Sequence, residues 1–390
     1  MRVFYFACLL FTASLMAGPA TAESPLLSER VSTGALPPSA ERLPQTPLVT
    51  DLAAMSRETG QPGGDISLLM ARSKDTRMMT VYGYARLVGF TPQLTLEPDI
   101  ALEVENVSDQ TFTFHLRPGH RWSDGQPFTT EDFRYYWEDM ALNEFLSPFG
   151  PPEALLVNGK PPRVEVIDRH TIRYYWEAPN PLFLPSLAGA RPLYIYAPAH
   201  YLKQFHADHV DEEKLKSMVE EAGVRNWAGL HTRFGHQYKF DNPDLPTLQP
   251  WLCITPAPSE RFIFERNPYF HRVDSKGQQL PYLDRVIVNI ASSGLIPAKT
   301  GAGESDLQGR YLRLDNYPFL MEGGERNNFV VRLWQMGIGS QMAIYPNLNA
   351  NDDTWREVMR DVRFRRALSL GIDRDEINQV IYFGLVLPSA

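Results

Sequence analysis

The chain has 390 residues, 43% of them hydrophobic and 22% charged, and carries a formal net charge of −8 at pH 7. That length exceeds what one hydrophobic core usually serves and the composition is globular, so general disorder is excluded and two or more lobes are expected. The acidic balance argues against nucleic acid and anionic membrane surfaces as partners.

Met1 and Arg2 precede an apolar run from Val3 to Met16 and then AGPATA, ending in Ala20-Thr21-Ala22. A charged start, an apolar stretch and a small-x-small site make a secretory signal peptide of residues 1–22, with cleavage expected after Ala22. The run is shorter than the roughly 18–20 residues that a bilayer span needs. Cys8 sits inside the run and not at a lipoprotein cleavage point, so processing leaves Cys253 alone and no internal disulfide is expected. Residues 23–63 are rich in Pro, Ser, Thr and Gly and predict an extended leader or a surface-hugging arm. GDISLLMA (64–71) predicts a strand after a Gly-Gly turn, and TRMMTVYGYARLVGF (76–90) a helix followed by a loop.

In residues 111–140, Thr111, Thr113 and His115 alternate with Phe112, Phe114 and Leu116, which predicts a strand with one buried face. Arg117-Pro118-Gly119 ends it, and Ser123-Asp124-Gly125 forms a second tight turn in which glycine supplies a positive φ. Thr129 is placed to cap a helix, with Glu131 and Asp132 where the helix dipole is positive. Phe133, Tyr136, Trp137 and Met140 follow at i, i+3, i+4 and i+7, a core stripe. RVEVIDRHTIRYYWEA (163–178) predicts a hairpin turning at Asp168-Arg169-His170, and PNPLFLPSLAG (179–189) a short helix. Residues 198–223 predict a charged helix. RFIFERNPYF and LDRVIVNI predict strands flanking the turn DSKGQQLPY. From Asp306 the expected order is a helix, a strand at NFVVRLWQM (328–336) and a helix over residues 361–384. Strands and helices alternate irregularly, which argues for mixed α/β or α+β lobes with open sheets.

The commonest catalytic and metal motifs are missing. Gly63-Gly64, Gly323-Gly324 and the GAG at 301–303 do not complete a phosphate cradle, and there is no G-x-S-x-G, no H-E-x-x-H and no cysteine pair. His200, His206 and His209, with Glu212 and Glu213 behind, form the sharpest metal candidate, although imidazoles on a charged helix are usually solvated. Glu131-Asp132, Glu212-Glu213 and Asp352-Asp353 are adjacent in sequence, and helix neighbours do not face each other, so they are read as caps or solvated faces. No catalytic residue, metal or cofactor is assigned, and no enzymatic activity is expected.

The segment FTFHLRPGHRWSDGQPFTTEDFRYYWE resembles the characteristic stretch of the family 5 extracytoplasmic solute-binding proteins, the peptide, nickel and oligosaccharide receptors of ABC importers, with Thr130 in place of an alanine. Pro98-Asp99-Ile100-Ala101-Leu102-Glu103, Arg266-Asn267-Pro268-Tyr269-Phe270 with Leu280 to Val286, Pro346-Asn347-Leu348-Asn349, and Asp361 to Leu368 with Gly371-Ile372-Asp373-Arg374 are similar to further family elements in the same order. The resemblance covers roughly residues 64–390. It implies a two-lobed, periplasmic-binding-protein type II-like α/β architecture with an extra inserted α+β domain. By analogy lobe I takes residues 64–90 and 179–345, the inserted small domain 91–178, and the start of lobe II 346–390. Family members usually continue further, so a truncated fragment with the second lobe largely missing is expected.

The resemblance also implies a periplasmic receptor, monomeric, that captures a small polar solute between lobes and hands it to an ABC permease in the inner membrane. Peptide and oligosaccharide ligands both remain open. Tyr82 and Tyr84, Trp334, and Asn347 and Asn349 are the candidate ligand contacts, because aromatics give stacking area and amides orient polar groups. A core position is the competing reading for each aromatic.

Overall fold

The structure is a computed structural model that describes residues 23–334 and 343–387. The expected signal peptide, residues 1–22, lies outside the described residues. In chain order the elements begin with α1 (Pro25–Ser32), α2 (Ser39–Arg42), β1 (Leu48–Thr50), β2 (Asp65–Met70), α3 (Met78–Gly83), β3 (Val88–Phe90), β4 (Leu96–Pro98), β5 (Ala101–Val107), β6 (Thr111–Leu116), α4 (Thr130–Arg134), β7 (Arg163–Asp168) and β8 (Thr171–Tyr175). They continue with α5 (Phe183–Ala188), α6 (Ala199–Leu202), α7 (Glu212–Ala222), α8 (Trp227–Phe234), β9 (Trp251–Cys253), β10 (Arg261–Arg266), β11 (Arg272–Asp274), β12 (Arg285–Ile290), α9 (Ile296–Gly301), α10 (Tyr317–Asn327), α11 (Asp353–Arg360), α12 (Val362–Leu370) and α13 (Arg374–Tyr382). The class is mixed α/β, as expected. Two compact units emerge, Met1–Ile66 with Arg72–Ile290, and Ser67–Ala71 with Ala291–Ala390.

In the larger unit, alternation builds a four-stranded antiparallel sheet in the order β5-β6-β8-β7. Phe112 pairs with Tyr174 and Phe114 with Ile172 across β6 and β8. All four are buried, together with Trp122, Phe128, Phe133 and Phe183. The rings meet edge to face: Phe112 and Phe114 lie 5.1 and 6.0 Å from Phe183. Each buried aromatic of this kind stabilises by about 1.5–3 kcal/mol relative to exposure, so this cluster is what holds the sheet to its helix. The turns between β6 and α4 are as the sequence predicts, with Gly119 and Gly125 at φ 81° and 88°.

Thr129 caps α4, and the cap is reciprocal: the Thr129 N–H donates to Asp132 Oδ2 at 2.9 Å. The helix then widens into a π-helical segment, Tyr135–Ala141. The expected spacing assumed 3.6 residues per turn throughout; the wider turns bury Tyr135 as well as Phe133 and Trp137. Phe133 and Trp137 face the sheet, while Tyr135 belongs to a second core with Leu202, Phe205, Leu215 and Leu230 from α6 to α8.

Residues 23–50 depart from the extended arm expected of their composition. Pro25 stands in the first turn of α1 behind the Ser24 cap, where a missing N–H costs nothing. The segment reaches far along the chain. Leu26 N–H donates to Asp284 Oδ2 at 3.2 Å, Arg42 Nε to the Pro268 carbonyl at 2.8 Å, and β1 runs parallel to β11. Arg42 is fully buried and pairs with Glu23 at 2.9 Å. Strands β12, β10 and β9 follow one another in a second antiparallel sheet.

The long helix expected over 198–223 is interrupted: α6 gives way to a 3-10 turn, Lys203–Phe205, and α7 starts afresh at its Asp211 cap. In the smaller unit, residues 306–313 are not helical, because their polar groups are used on β2. Ser67 N–H donates to Asp306 Oδ2 at 2.6 Å, and Gln308 both accepts from Leu69 N–H and donates to its carbonyl. The strand expected at 328–336 is absent through Trp334, since no neighbouring strand pairs with it among the described residues; Gln335 and Met336 lie outside them. The helix expected over 361–384 is two, because Asp373 stops the first and caps α13 by accepting the Glu376 N–H. Helices α9 and α10 touch through glycines: a Cβ on Gly323 would lie 2.9 Å from the Gly301 carbonyl oxygen. Among the described residues no helix is long and apolar enough to cross a membrane.

Candidate functional site

The five residues expected to touch a solute fall in both units. Tyr82 lies on α3 and is 37% exposed. Tyr84 ends that helix in the left-handed region, φ 42°, and its ring is fixed. Its hydroxyl donates to the Ala188 carbonyl and accepts the Phe90 N–H, both at 2.9 Å, and the Arg86 guanidinium lies 4.7 Å from the ring centre. Both hydrogen-bonding roles of the hydroxyl are therefore occupied, and what Tyr84 contributes is position: it anchors the end of α3 beside Tyr82.

In the smaller unit Trp334 is 83% exposed. Asn347 Oδ1 accepts the Asn349 N–H at 3.0 Å, and Asn349 Oδ1 accepts from Arg360 Nη2 at 3.1 Å. The two amides thus shape a turn ahead of α11, whose Asp352 cap accepts the Trp355 N–H. Two open surface clefts, of about 370 and 430 Å³, are lined by Thr129, Arg134 and Arg169 and by Phe145, Arg233 and Lys239 among others. None of the five expected contacts lines either one.

The densest electrostatic feature was not singled out from the sequence. Asp99 is buried and receives Arg272 through Nε at 3.0 Å and Nη2 at 2.6 Å, His271 Nε2 at 2.8 Å and the Arg86 N–H at 2.8 Å. Arg117 bonds the Asp99 carbonyl at 3.2 Å and the Thr46 carbonyl at 2.6 Å. Arg86 spends its guanidinium on the carbonyls of Ala85, Gly189 and Ala190. Burial alone would raise the Asp99 carboxyl, but Arg272 and His271 outweigh it and hold it well below the usual carboxylate range. Burial drives His271 down, and drives its neighbour His120, 5.0 Å away ring to ring, well below the usual imidazole range. The arginines here spend their donors on protein groups, so the cluster locks segments together. Asp99 and Arg272 are 173 residues apart; the one signal in the sequence was an acid enclosed in the apolar run Pro98 to Leu102.

Of the histidine candidates His200 stands apart, whereas the rings of His206 and His209 lie 5.4 Å from each other. His200 pairs with Asp124 at 2.7 Å, while His206 is buried, contrary to the solvated position expected of it. Among the described residues no group of three or more His, Cys, Asp or Glu side chains is arranged to hold a metal ion. Asp132 and Asp352 act as caps, and Glu212 and Glu213 stand in the first turn of α7. Cys253 is a buried free thiol, pushed up by burial to about 11.

Residues 95–390 match the family model of the bacterial extracellular solute-binding proteins, family 5 Middle. The periplasmic alpha-galactoside-binding protein of Rhizobium meliloti is 23% identical over 389 residues, covering 91% of this chain and 52% of that protein. The periplasmic oligopeptide-binding protein OppA of Salmonella typhimurium is 26% identical over 72% of this chain and 45% of its own length. The chain spans about half the length of the curated relatives it matches. Among solved structures, an oligopeptide-binding protein OppA matches with a TM-score of 0.77 at 33% identity, over 94% of this chain and 57% of the other. The periplasmic binding protein MelB of Agrobacterium fabrum C58, in complex with stachyose, matches with a TM-score of 0.65 at 23% identity, over 95% and 56%, which speaks to the fold alone.

Proposed function

Because the chain belongs to the bacterial extracellular solute-binding proteins of family 5, we propose that it serves in a periplasmic receptor that captures a peptide and delivers it to an ABC importer of the inner membrane. The observation that carries this reading is the likeness to OppA at a TM-score of 0.77 and 33% identity over 94% of the chain. A receptor of this kind needs no catalytic group, since capture is a matter of differential affinity between its states. It takes no cofactor, acts as a monomer and reaches the periplasm through the signal peptide of residues 1–22. On this reading the domain partition follows the family, with residues 91–178 as the small inserted domain between the two parts of lobe I, 64–90 and 179–345, and residues 346–390 opening lobe II.

On this reading Tyr82 and Trp334 are the aromatics that meet the solute, Tyr84 positions Tyr82, and Asn347 and Asn349 hold the turn that presents their neighbours. A second reading rests on a specific observation: the alpha-galactoside-binding relative aligns along 91% of the chain, and exposed aromatics suit sugar faces as well as peptide side chains. A thermal-shift screen with short peptides and with alpha-galactosides separates the two. A true ligand at 100 times its Kd stabilises by about 2.7 kcal/mol. A shift with peptides supports the first reading, a shift with alpha-galactosides alone supports the second, and no shift with either sinks both. Trp334→Ala is expected to weaken the productive ligand at least tenfold; unchanged affinity removes Trp334 from the site.

A further inference from the structure

Around Tyr135 three histidines converge from two places in the chain: His206 and His209 after α6, and His231 on α8. Their ring centres each lie 6.1 Å from that of Tyr135. His206 lies 5.4 Å from His209, 5.8 Å from His231 and 4.8 Å from Trp227. Tyr135, His206 and His231 are buried.

Hydrogen bonds fix the protonation of the two buried imidazoles. His206 Nδ1 accepts the Asp208 N–H at 3.2 Å, so the proton sits on Nε2, which donates to the Asp139 carbonyl at 2.9 Å. Burial pushes the Tyr135 phenol up, so its hydroxyl is the donor and His231 Nε2 the acceptor at 2.7 Å. Both rings are neutral in this arrangement. A second proton on His206 would oppose the Asp208 N–H. A proton on His231 would leave the Tyr135 hydroxyl hydrogen without its acceptor.

We propose that this cluster is an acid-sensitive latch: neutral, it holds the helices α6 to α8 against the π-helical segment Tyr135–Ala141, and proton uptake loosens them. The hydrogen bond between Tyr135 and His231 is its closing contact, because it joins α8 to that segment across 96 positions of sequence.

The charged and titratable groups around it are these. The π-helical segment presents Tyr135 and Asp139, with Arg134 before them bonded to Asp139 at 3.3 Å. After α6 come Lys203, paired with Glu131 at 2.6 Å, Asp208, 3.8 Å from His206 Nδ1, and His209, 3.5 Å from Asp139 Oδ2. Helix α7 turns Leu215, Met218 and Val219 inward and leaves its charged residues exposed. On α8, Arg233 donates to the Ala222 carbonyl. Asp132 accepts the Ala199 N–H at 3.1 Å at the start of α6.

Burial pushes His231 down to about 3, with His206 adding to the effect. A folded-state value below the unfolded ~6.5 means that docking free energy is complete above ~6.5 and is lost as pH falls through that value toward 3. Asp132 runs the other way: burial raises it to about 6, so its neutralisation on acidification favours docking. The experiment must therefore isolate His231.

His231→Gln does so, since the glutamine oxygen can accept from Tyr135 and does not titrate. Hydrogen exchange of the full chain, corrected for intrinsic rates, is compared at pH 7 and pH 5. In the wild type, opening of residues 199–234 is expected to rise by up to roughly tenfold per pH unit relative to β5 to β8. In His231→Gln the rise is expected to shrink by that factor. An unchanged rise in the variant, or no regional rise in the wild type, overturns the latch. Histidine-ring NMR of the wild type gives a second reading that requires no variant to fold: His231 titrating at its unperturbed ~6.5 also overturns it.

Discussion

A single carboxylate explains why the region between α3 and β11 has one arrangement. Asp99 is buried and Arg272 partly so, and the partners of the carboxylate come from positions 86, 271 and 272. Removing one side of a buried pair strands the other charge, which typically costs 3–5 kcal/mol. Arg272→Ala is therefore expected to destabilise the larger unit by about that much in urea titration, more than twice the effect of removing the exposed pair of Lys160 and Glu177, whose side chains are both mostly in water. A loss below about 1 kcal/mol would assign the hold to Arg117 and Arg86. At this scale the sequence was legible wherever the partner is local. Thr129, Gly125 and the edge of β6 sit within a few residues of what they bond, and their roles follow from spacing. The Asp99 cluster joins residues far apart, and no periodicity encodes which arginine will meet which acid.

Elements were readable where one face alone is buried. Strands β6, β8, β10 and β12 and helix α5 follow alternation or capping. Helix continuity was not readable: α6 and α7, and α12 and α13, each fall in a single polar run that hides the caps Asp211 and Asp373. The π-helical segment escaped because burial against two cores, one on either side, overrides the 3.6-residue period. Gly301 and Gly323, which fit no phosphate cradle, serve the contact between α9 and α10, and Gly324 lies against the Phe329 backbone. Gly323→Ala would press a methyl on the Gly301 carbonyl, where backbone cannot yield as a side chain would, and is expected to cost about 1–3 kcal/mol. Differential scanning calorimetry reads it; Gly294→Ala, with open space around the added carbon, is the control expected to be near neutral.

For the molecule as a whole, the five candidate contacts were legible only as residue types. Tyr82 and Trp334 are exposed, at 37% and 83%, and Tyr84, Asn347 and Asn349 make hydrogen bonds within the protein. Its response to pH is a sum of buried groups. His120, His231 and His271 are all held below the ordinary imidazole range by burial. The unfolded chain takes up protons at these rings more readily than the folded one, so stability present above ~6.5 is lost as pH falls. Asp132, raised to about 6, returns part of this between ~6 and ~4. Urea titrations are expected to give a lower stability at pH 5.5 than at pH 7.5. A flat profile would mean that water or anions reach these rings.

The residues from Glu23 to Thr50 also impose a schedule. Leu26, the Nε of Arg42 and β1 find their partners at residues 268–284. Synthesis delivers the N-terminus first, so these residues must wait, unsatisfied, until more than two hundred others have emerged. Contacts of such long sequence separation form late and slowly. The larger unit is thus closed by its earliest residues acting last, and a chain interrupted before residue 268 would leave Leu26, the Nε of Arg42 and β1 without these partners.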